Sequence, residues 1–328
     1  MKLPDYHISN FEEAYEFHDT YEPSRVFAKF TYGTIRTLMR PTLSVEEKTD
    51  SSLSEILEEG KPLIIAPNHT SDRHDQWLAA AAASEIGRHY NTPIAGKVRV
   101  LGKSAFYTGE LVSEFGVPPR FESHEDNNWI ERYVRERLDT LSVRITPKIA
   151  QYLMTKFVNN MGTMPVYRPG DIQPGEGDTR RLPLAAADRL WETCIQQLTQ
   201  GHPVGIFPEG TADTEDPRKT LPVKAGIGQL AARLVRQTSE PGYILTLGMS
   251  YPEYQEKINR KGNLAVQPRK LRGGHIHLGE IYEVQPTDSP RDIQAAVAAR
   301  LQTAVTRSFE EGDPTLYDLD GNLSQQWQ

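Results

Sequence analysis

Cysteine is almost missing from this chain: among 328 residues there is one, Cys194. A single thiol forms no internal disulfide, so a stapled extracellular scaffold is excluded. Long apolar runs are missing too. The stretches 63–67 and 78–83 fall far short of the roughly 20 residues that cross a bilayer, which excludes a polytopic membrane protein. The opening MKLPDYHISN has neither the basic nor the apolar region of a secretory signal. Excess positive charge is absent, with 37 Lys plus Arg against 44 Asp plus Glu and a net charge of -7, so non-specific nucleic-acid binding is not expected. These absences lead to an expected reducing, cytoplasmic setting. What is present suits a globular chain of one large domain or two small ones: 38% hydrophobic and 25% charged residues, with a mean hydropathy of -0.56.

Three segments follow from the pattern. Residues 1–56 are aromatic and helical, with no acid between Pro23 and Val45 but four cations, Arg25, Lys29, Arg36 and Arg40. Phe27, Phe30, Thr34 and Leu38, spaced three and four apart, make an apolar stripe flanked by those cations. Such a stripe either lies on an anionic membrane surface or packs on the main domain. Residues 57–312 alternate short apolar runs with helical periodicity, which indicates an α/β domain with a parallel or mixed sheet flanked by helices. Strands are expected at 63–66, 164–167, 204–207, 243–249 and 275–278, and helices at 77–86, 184–198, 227–234 and 289–309. In the 184–198 helix, Leu184, Ala187, Trp191, Cys194 and Leu198 form one stripe, so Cys194 reads as a small hydrophobe rather than a nucleophile. Residues 110–147 read as a helical insertion, 170–177 as a loop and 313–328 as a polar tail. His275 and His277 alternate with Ile276 and Leu278 and are expected on the solvent face of a strand.

The chemistry concentrates at strand ends, where open α/β sheets place their ligands. PLIIAPNHTSDRHD, 62–75, ends an apolar strand and crowds Asn68, His69, Asp72, His74 and Asp75 into the turn before a helix. A neutral imidazole takes a proton from an alcohol when a carboxylate fixes its tautomer, and both Asp75 and Asp72 are within reach along the loop. The same His69, Asp72, His74 and Asp75 also suggest a metal-dependent hydrolase, although the spacing does not match the familiar H-x-H-x-D-H cluster. GTMPVYRP, 162–169, ends a strand on Arg168, whose guanidinium suits a phosphate monoester. PVGIFPEGT, 203–211, ends another on Glu209, Gly210 and Thr211.

In that order the blocks resemble the glycerolipid acyltransferases, the lysophosphatidate and glycerol-3-phosphate acyltransferases often called PlsC-like, over roughly residues 61–284. The family's first block is N-H followed by four residues and Asp. Here Asp75 stands six positions after His69, one more than the family spacing, and Asp72 is the alternative. The third block usually continues with Arg, whereas this chain has Ala212. Lys103, in LGKSAF, resembles the lysine between the first two blocks, and Lys224 a basic turn after the third. TLGMSYP, 246–252, matches the fourth only loosely.

The resemblance implies an acyltransferase that moves a fatty acyl chain from acyl-CoA or acyl carrier protein onto lysophosphatidate, with glycerol-3-phosphate as the alternative acceptor. His69 would be the general base and Asp75 its partner. Asn68, Lys103, Arg168, Glu209, Gly210, Thr211 and Lys224 would surround the substrates. No metal or other cofactor is expected, only the thioester as co-substrate. The chain would work in the cytoplasm, peripherally on the membrane, with no nucleic-acid partner.

Overall fold

The computed structural model describes residues 3–71, 74–108, 147–172, 181–212, 214–258 and 262–324. In chain order these contain α1 (Phe11–Thr20), α2 (Arg25–Met39), β1 (Thr42–Val45), α3 (Glu47–Glu59), β2 (Leu63–Pro67), α4 (Asp75–His89), β3 (Arg99–Lys103), α5 (Ala105–Thr108) and α6 (Pro147–Asn160). They continue with β4 (Thr163–Val166), α7 (Arg181–Thr199), β5 (Val204–Gly205), α8 (Ala225–Thr238), β6 (Gly242–Ser250), β7 (Glu253–Ile258), β8 (Leu264–Lys270), β9 (His275–Val284), α9 (Pro290–Gly312) and β10 (Thr315–Tyr317). The fold is mixed α/β. The expected insertion at 110–147 lies almost wholly outside the described residues, and so does Asp72.

The chain divides into two compact units. One comprises Met1–Ser24 and Val100–Thr193, the other Arg25–Arg99 and Cys194–Gln328. This differs from a division at residue 56. Residues 1–24 fold with the middle of the chain, and 25–56 contribute helices and an edge strand to the larger unit. The first unit is built on β3 and β4, paired in parallel with Lys103 opposite Val166. Tyr15, on α1, is fully buried and donates its hydroxyl hydrogen bond to the Pro165 carbonyl at 2.8 Å.

The larger unit carries strands in the order β1-β9-β6-β2-β5, with β9 and β6 antiparallel and the other neighbours parallel. β2 is the central piece: Leu63, Ile64, Ile65, Ala66 and Pro67 are all buried, as a continuous apolar run requires when both faces of a strand are covered. α9 starts from a Ser289 hydroxyl that accepts the Asp292 N–H at 3.2 Å and has Pro290 in its first turn, a favourable helix start. Its Ile293, Val297, Leu301, Ala304 and Val305 are buried, and the helix packs on β6 and β9.

Some expectations shift. In α7 the buried stripe runs through Ala186, Leu190, Cys194 and Leu198, leaving Leu184 67% exposed. The helical phase is set by the later apolar positions, and Leu184 falls outside their arc. His275 and His277 are buried, not solvent-facing. β1 and α9 cover their face: Thr42 Oγ1 lies 2.7 Å from His275 Nδ1, Ser44 Oγ lies 3.0 Å from a nitrogen of each ring, and Glu311 Oε2 lies 2.8 and 3.2 Å from them. β7 and β8 form an antiparallel pair joined by β10 from the expected tail, a three-stranded sheet that periodicity alone did not indicate.

Close approach of α9 to β6 depends on Gly248. A Cβ there would meet the Ala304 carbonyl oxygen at 1.9 Å. Backbone cannot yield as a side-chain tip can, so Gly248→Ala is expected to destabilise the chain by at least about 2 kcal/mol through overpacking. The urea midpoint of the purified variant measures this.

Candidate active site

β2 and β5 run parallel, so the loops after Pro67 and after Gly205 leave the same edge of the larger unit. Asn68 extends the ladder beyond β2. Its Nδ2 donates to the Met249 carbonyl at 3.1 Å and its Oδ1 accepts the Met249 N–H at 2.7 Å. Its backbone N–H donates to the Leu247 carbonyl at 3.2 Å. Both ends of this buried amide are therefore engaged with β6. Asn68, a candidate for substrate binding, thus ties the first residue of the loop to the sheet.

His69 follows directly and is 6% exposed. Its backbone N–H donates to Glu209 Oε1 at 2.7 Å, and its ring sits 4.6 Å from the Phe207 ring. Nδ1 lies 2.9 Å from Asp75 Oδ2. A carboxylate offers only acceptors, so the ring hydrogen sits on Nδ1.

Asp75 is the first residue of α4 and has no exposed surface. Oδ2 also accepts the Thr70 and Ser71 N–H groups at 2.5 and 2.7 Å, and Oδ1 accepts the Thr70 hydroxyl at 3.2 Å and the Tyr251 hydroxyl at 2.8 Å. A charge removed from water is tolerable only with such partners. Sequence reasoning missed Tyr251. Its only signal was a place at the end of the loosely matching TLGMSYP. Burial, and then the negative charge of Asp75, hold its phenol well above the usual range, so it stays a donor.

Glu209 stands in the turn after β5 and is buried. Besides the His69 N–H it accepts the Leu221 N–H on Oε2 at 2.5 Å. A candidate for substrate binding, it clamps backbone on both sides. Burial pushes its carboxyl up to about 7, opposed by the two N–H bonds and by His69. Gly210 takes a left-handed conformation, φ 69°, to close the turn, and its N–H donates to the Phe207 carbonyl at 3.1 Å. Thr211 is exposed. Lys224, the residue before α8, donates its N–H to the Pro208 carbonyl at 2.8 Å, and its stem lies beside Gly210.

The other two candidate cations belong to the first unit. Lys103 ends β3, and Arg168 lies two residues past β4, so the parallel pairing puts both at one edge of that pair. Arg168 is exposed and its backbone N–H donates to Asp171 Oδ2 at 2.8 Å. His74 Nδ1 lies 2.9 Å from the Ser71 hydroxyl. Among the described residues, no three His, Cys, Asp or Glu side chains form a group that could hold a metal. Neither of two surface hollows, one on α2 and one in the first unit, is lined by His69.

Comparison with known proteins bears on this arrangement. Residues 134–250 match the family model described as acyltransferase. Over this segment the chain is similar to that family. It includes Arg168, Glu209, Gly210, Thr211 and Lys224, whereas Asn68, His69, Asp75 and Lys103 precede it. No curated protein matches the chain. A similar solved structure is the 1-acyl-sn-glycerophosphate (LPA) acyltransferase, PlsC, from Thermotoga maritima. Its TM-score is 0.39 and its identity 15%, over 96% of this chain and 90% of that one, a likeness too slight to inform function.

The buried Glu209 makes stability pH-dependent. A carboxyl whose folded pKa is raised from 4.5 to about 7 favours the folded state below pH 4.5, and this contribution is lost as pH rises through about 7. Glu209→Gln lacks the ionisation. The stability of wild type relative to this variant should therefore fall between about pH 4.5 and 7 and stay level above, as read by urea unfolding at pH 5, 6, 7 and 8.

Proposed function

We propose that this acyltransferase moves a fatty acyl chain from an acyl thioester, acyl-CoA or acyl carrier protein, to the hydroxyl of lysophosphatidate, 1-acylglycerol-3-phosphate, in phospholipid biosynthesis. The observation that carries the reading is the His69 Nδ1 contact with Asp75 at 2.9 Å at the carboxyl end of β2. The order of the three strand-end blocks supports the acceptor class. With Nδ1 donating to Asp75, His69 Nε2 is the base. It takes the hydroxyl proton as the oxygen attacks the thioester carbonyl. The tetrahedral intermediate collapses, the C–S bond breaks, and the imidazolium returns its proton to the thiolate. No acyl-enzyme forms and no cofactor takes part. Asp75 stabilises the imidazolium, Tyr251 and the loop N–H groups hold Asp75, and Asn68 and Glu209 hold the backbone on either side. Arg168 and Lys103, with Lys224, are the cations assigned to the acceptor phosphate.

General-base assistance is worth roughly 10² to 10⁴ in rate. His69→Ala is therefore expected to lose thiol release from acyl-CoA by about a hundredfold or more, with an unchanged circular dichroism spectrum. A variant that keeps its rate removes His69 as the base. An acceptor panel of lysophosphatidate, other lyso-lipids and glycerol-3-phosphate tests the substrate.

The same proposal places the enzyme peripherally on the cytoplasmic membrane face. Among the described residues no helix is long and apolar enough to cross a bilayer. α2 has two apolar faces: Ala28, Tyr32, Ile35 and Met39 are buried, while Val26, Phe27, Phe30 and Leu38 are exposed. Arg25, Lys29 and Arg40 are exposed beside the second face, whereas Arg36 pairs with Glu85 at 3.1 Å. Each cation near an anionic surface contributes about 1 kcal/mol. Co-sedimentation with phosphatidylserine vesicles should fall as salt rises, and Lys29→Glu should weaken it by roughly fivefold or more. No binding, or binding indifferent to salt, refutes the electrostatic docking.

A further inference from the structure

The first unit contains a cavity of about 560 Å³, within the range of sites for small organic ligands. Four tyrosines line it, Tyr6, Tyr107, Tyr152 and Tyr167, with two carboxylates, Asp5 and Asp171. Among the described residues, no lysine or arginine lines it. Tyr6 and Tyr107 stack with centroids 4.2 Å apart, and their hydroxyls are committed elsewhere, to Asn159 Oδ1 at 2.9 Å and to the Thr163 carbonyl at 2.6 Å. Their contribution to the wall is ring surface. Tyr152 already has the Lys156 ammonium 4.8 Å from its ring centre, a direct case of cation attraction at this wall.

Tyr167 differs from the rest. It is 6% exposed, and its hydroxyl has no hydrogen-bond partner among the described residues. A buried hydroxyl left unpaired is costly, and it is one of the few such groups among the described residues. Burial raises its pKa, and the neighbouring Tyr6 and the charges of Asp5 and Asp171 raise it further, so both carboxylates act on this phenol. Asp5 is exposed at the mouth, its oxygens accepting the His7 N–H at 3.1 Å and Asn10 Nδ2 at 2.9 Å.

We propose that this cavity binds an organic primary ammonium ion. Aromatic rings attract a cation by their quadrupole, the two carboxylates give the net charge, and an ammonium N–H supplies the donor that the Tyr167 oxygen lacks. A phosphate would meet the like charge of Asp5 and Asp171 and, among the described lining residues, no lysine or arginine side chain. A hard metal ion seeks six or more oxygen ligands, not ring faces. The same chemistry occurs in free amines and in the amine end of a lipid headgroup. The site is independent of the acyl-transfer reading.

Isothermal titration of the full chain in an amine-free buffer near pH 7.5, with spermidine, ethanolamine, glycerophosphoethanolamine and inorganic phosphate, tests this. Saturable binding of the amines and none of phosphate is expected. Glycerophosphoethanolamine binding as tightly as ethanolamine assigns a headgroup, and weaker binding assigns a free amine. Tyr167→Phe and Asp5→Asn should each weaken the amine by about fivefold or more. Tyr167→Phe should also leave the ligand-free melting temperature unchanged or raised, since it deletes an unpaired hydroxyl. The proposal is overturned if no amine binds saturably at millimolar concentration, or if both variants bind as wild type does.

Discussion

The carboxylate of Asp75 organises the loop on which the proposed chemistry rests. Located at the first turn of α4, it gathers the Thr70 and Ser71 amides, the Thr70 and Tyr251 hydroxyls and the His69 ring on two oxygens. The five bonds fix different parts of the turn: two hold backbone, one holds the Thr70 side chain, one ties the loop to the residue after β6, and one sets the imidazole tautomer. The helix N-terminus favours negative charge at this position. Removing the charge would release all of these groups together, so a loop that looks merely polar in sequence is a single cooperative unit.

Around it, two other polar side chains bond to backbone. Asn68 does so toward β6, and Glu209 does so between the His69 and Leu221 amides. Their burial is the physical reason: a polar atom with no access to water takes the nearest backbone group as its partner. Of the candidate substrate-binding side chains, Thr211, Lys224 and Arg168 stay exposed.

The sequence showed the strand-end blocks because an apolar run ending in Pro-Asn-His or Phe-Pro-Glu-Gly is a local signal. It showed the β2 and β6 strands for the same reason, and α9 by its cap and apolar stripe. It did not show which face of β9 is dry, because alternation in His275-Ile276-His277-Leu278 identifies two faces without saying what covers each. Ser44 and Glu311, at distant positions in the chain, decide that. Tyr251 was hidden for a similar reason: its partner Asp75 is 176 positions away in the chain. Leu184 was misplaced because a helix stripe read from apolar residues alone has slack of one position.

The reciprocal bonds between Asn68 and Met249 make a side chain behave as an extra peptide unit. The imidazole one residue later thus inherits the stiffness of β2 and β6 instead of the looseness of an ordinary connection. Local opening at this point requires breaking into the sheet itself, so its amide hydrogens should exchange with solvent on the slow timescale of global unfolding. An imidazole held in this way is ordered by the sheet itself.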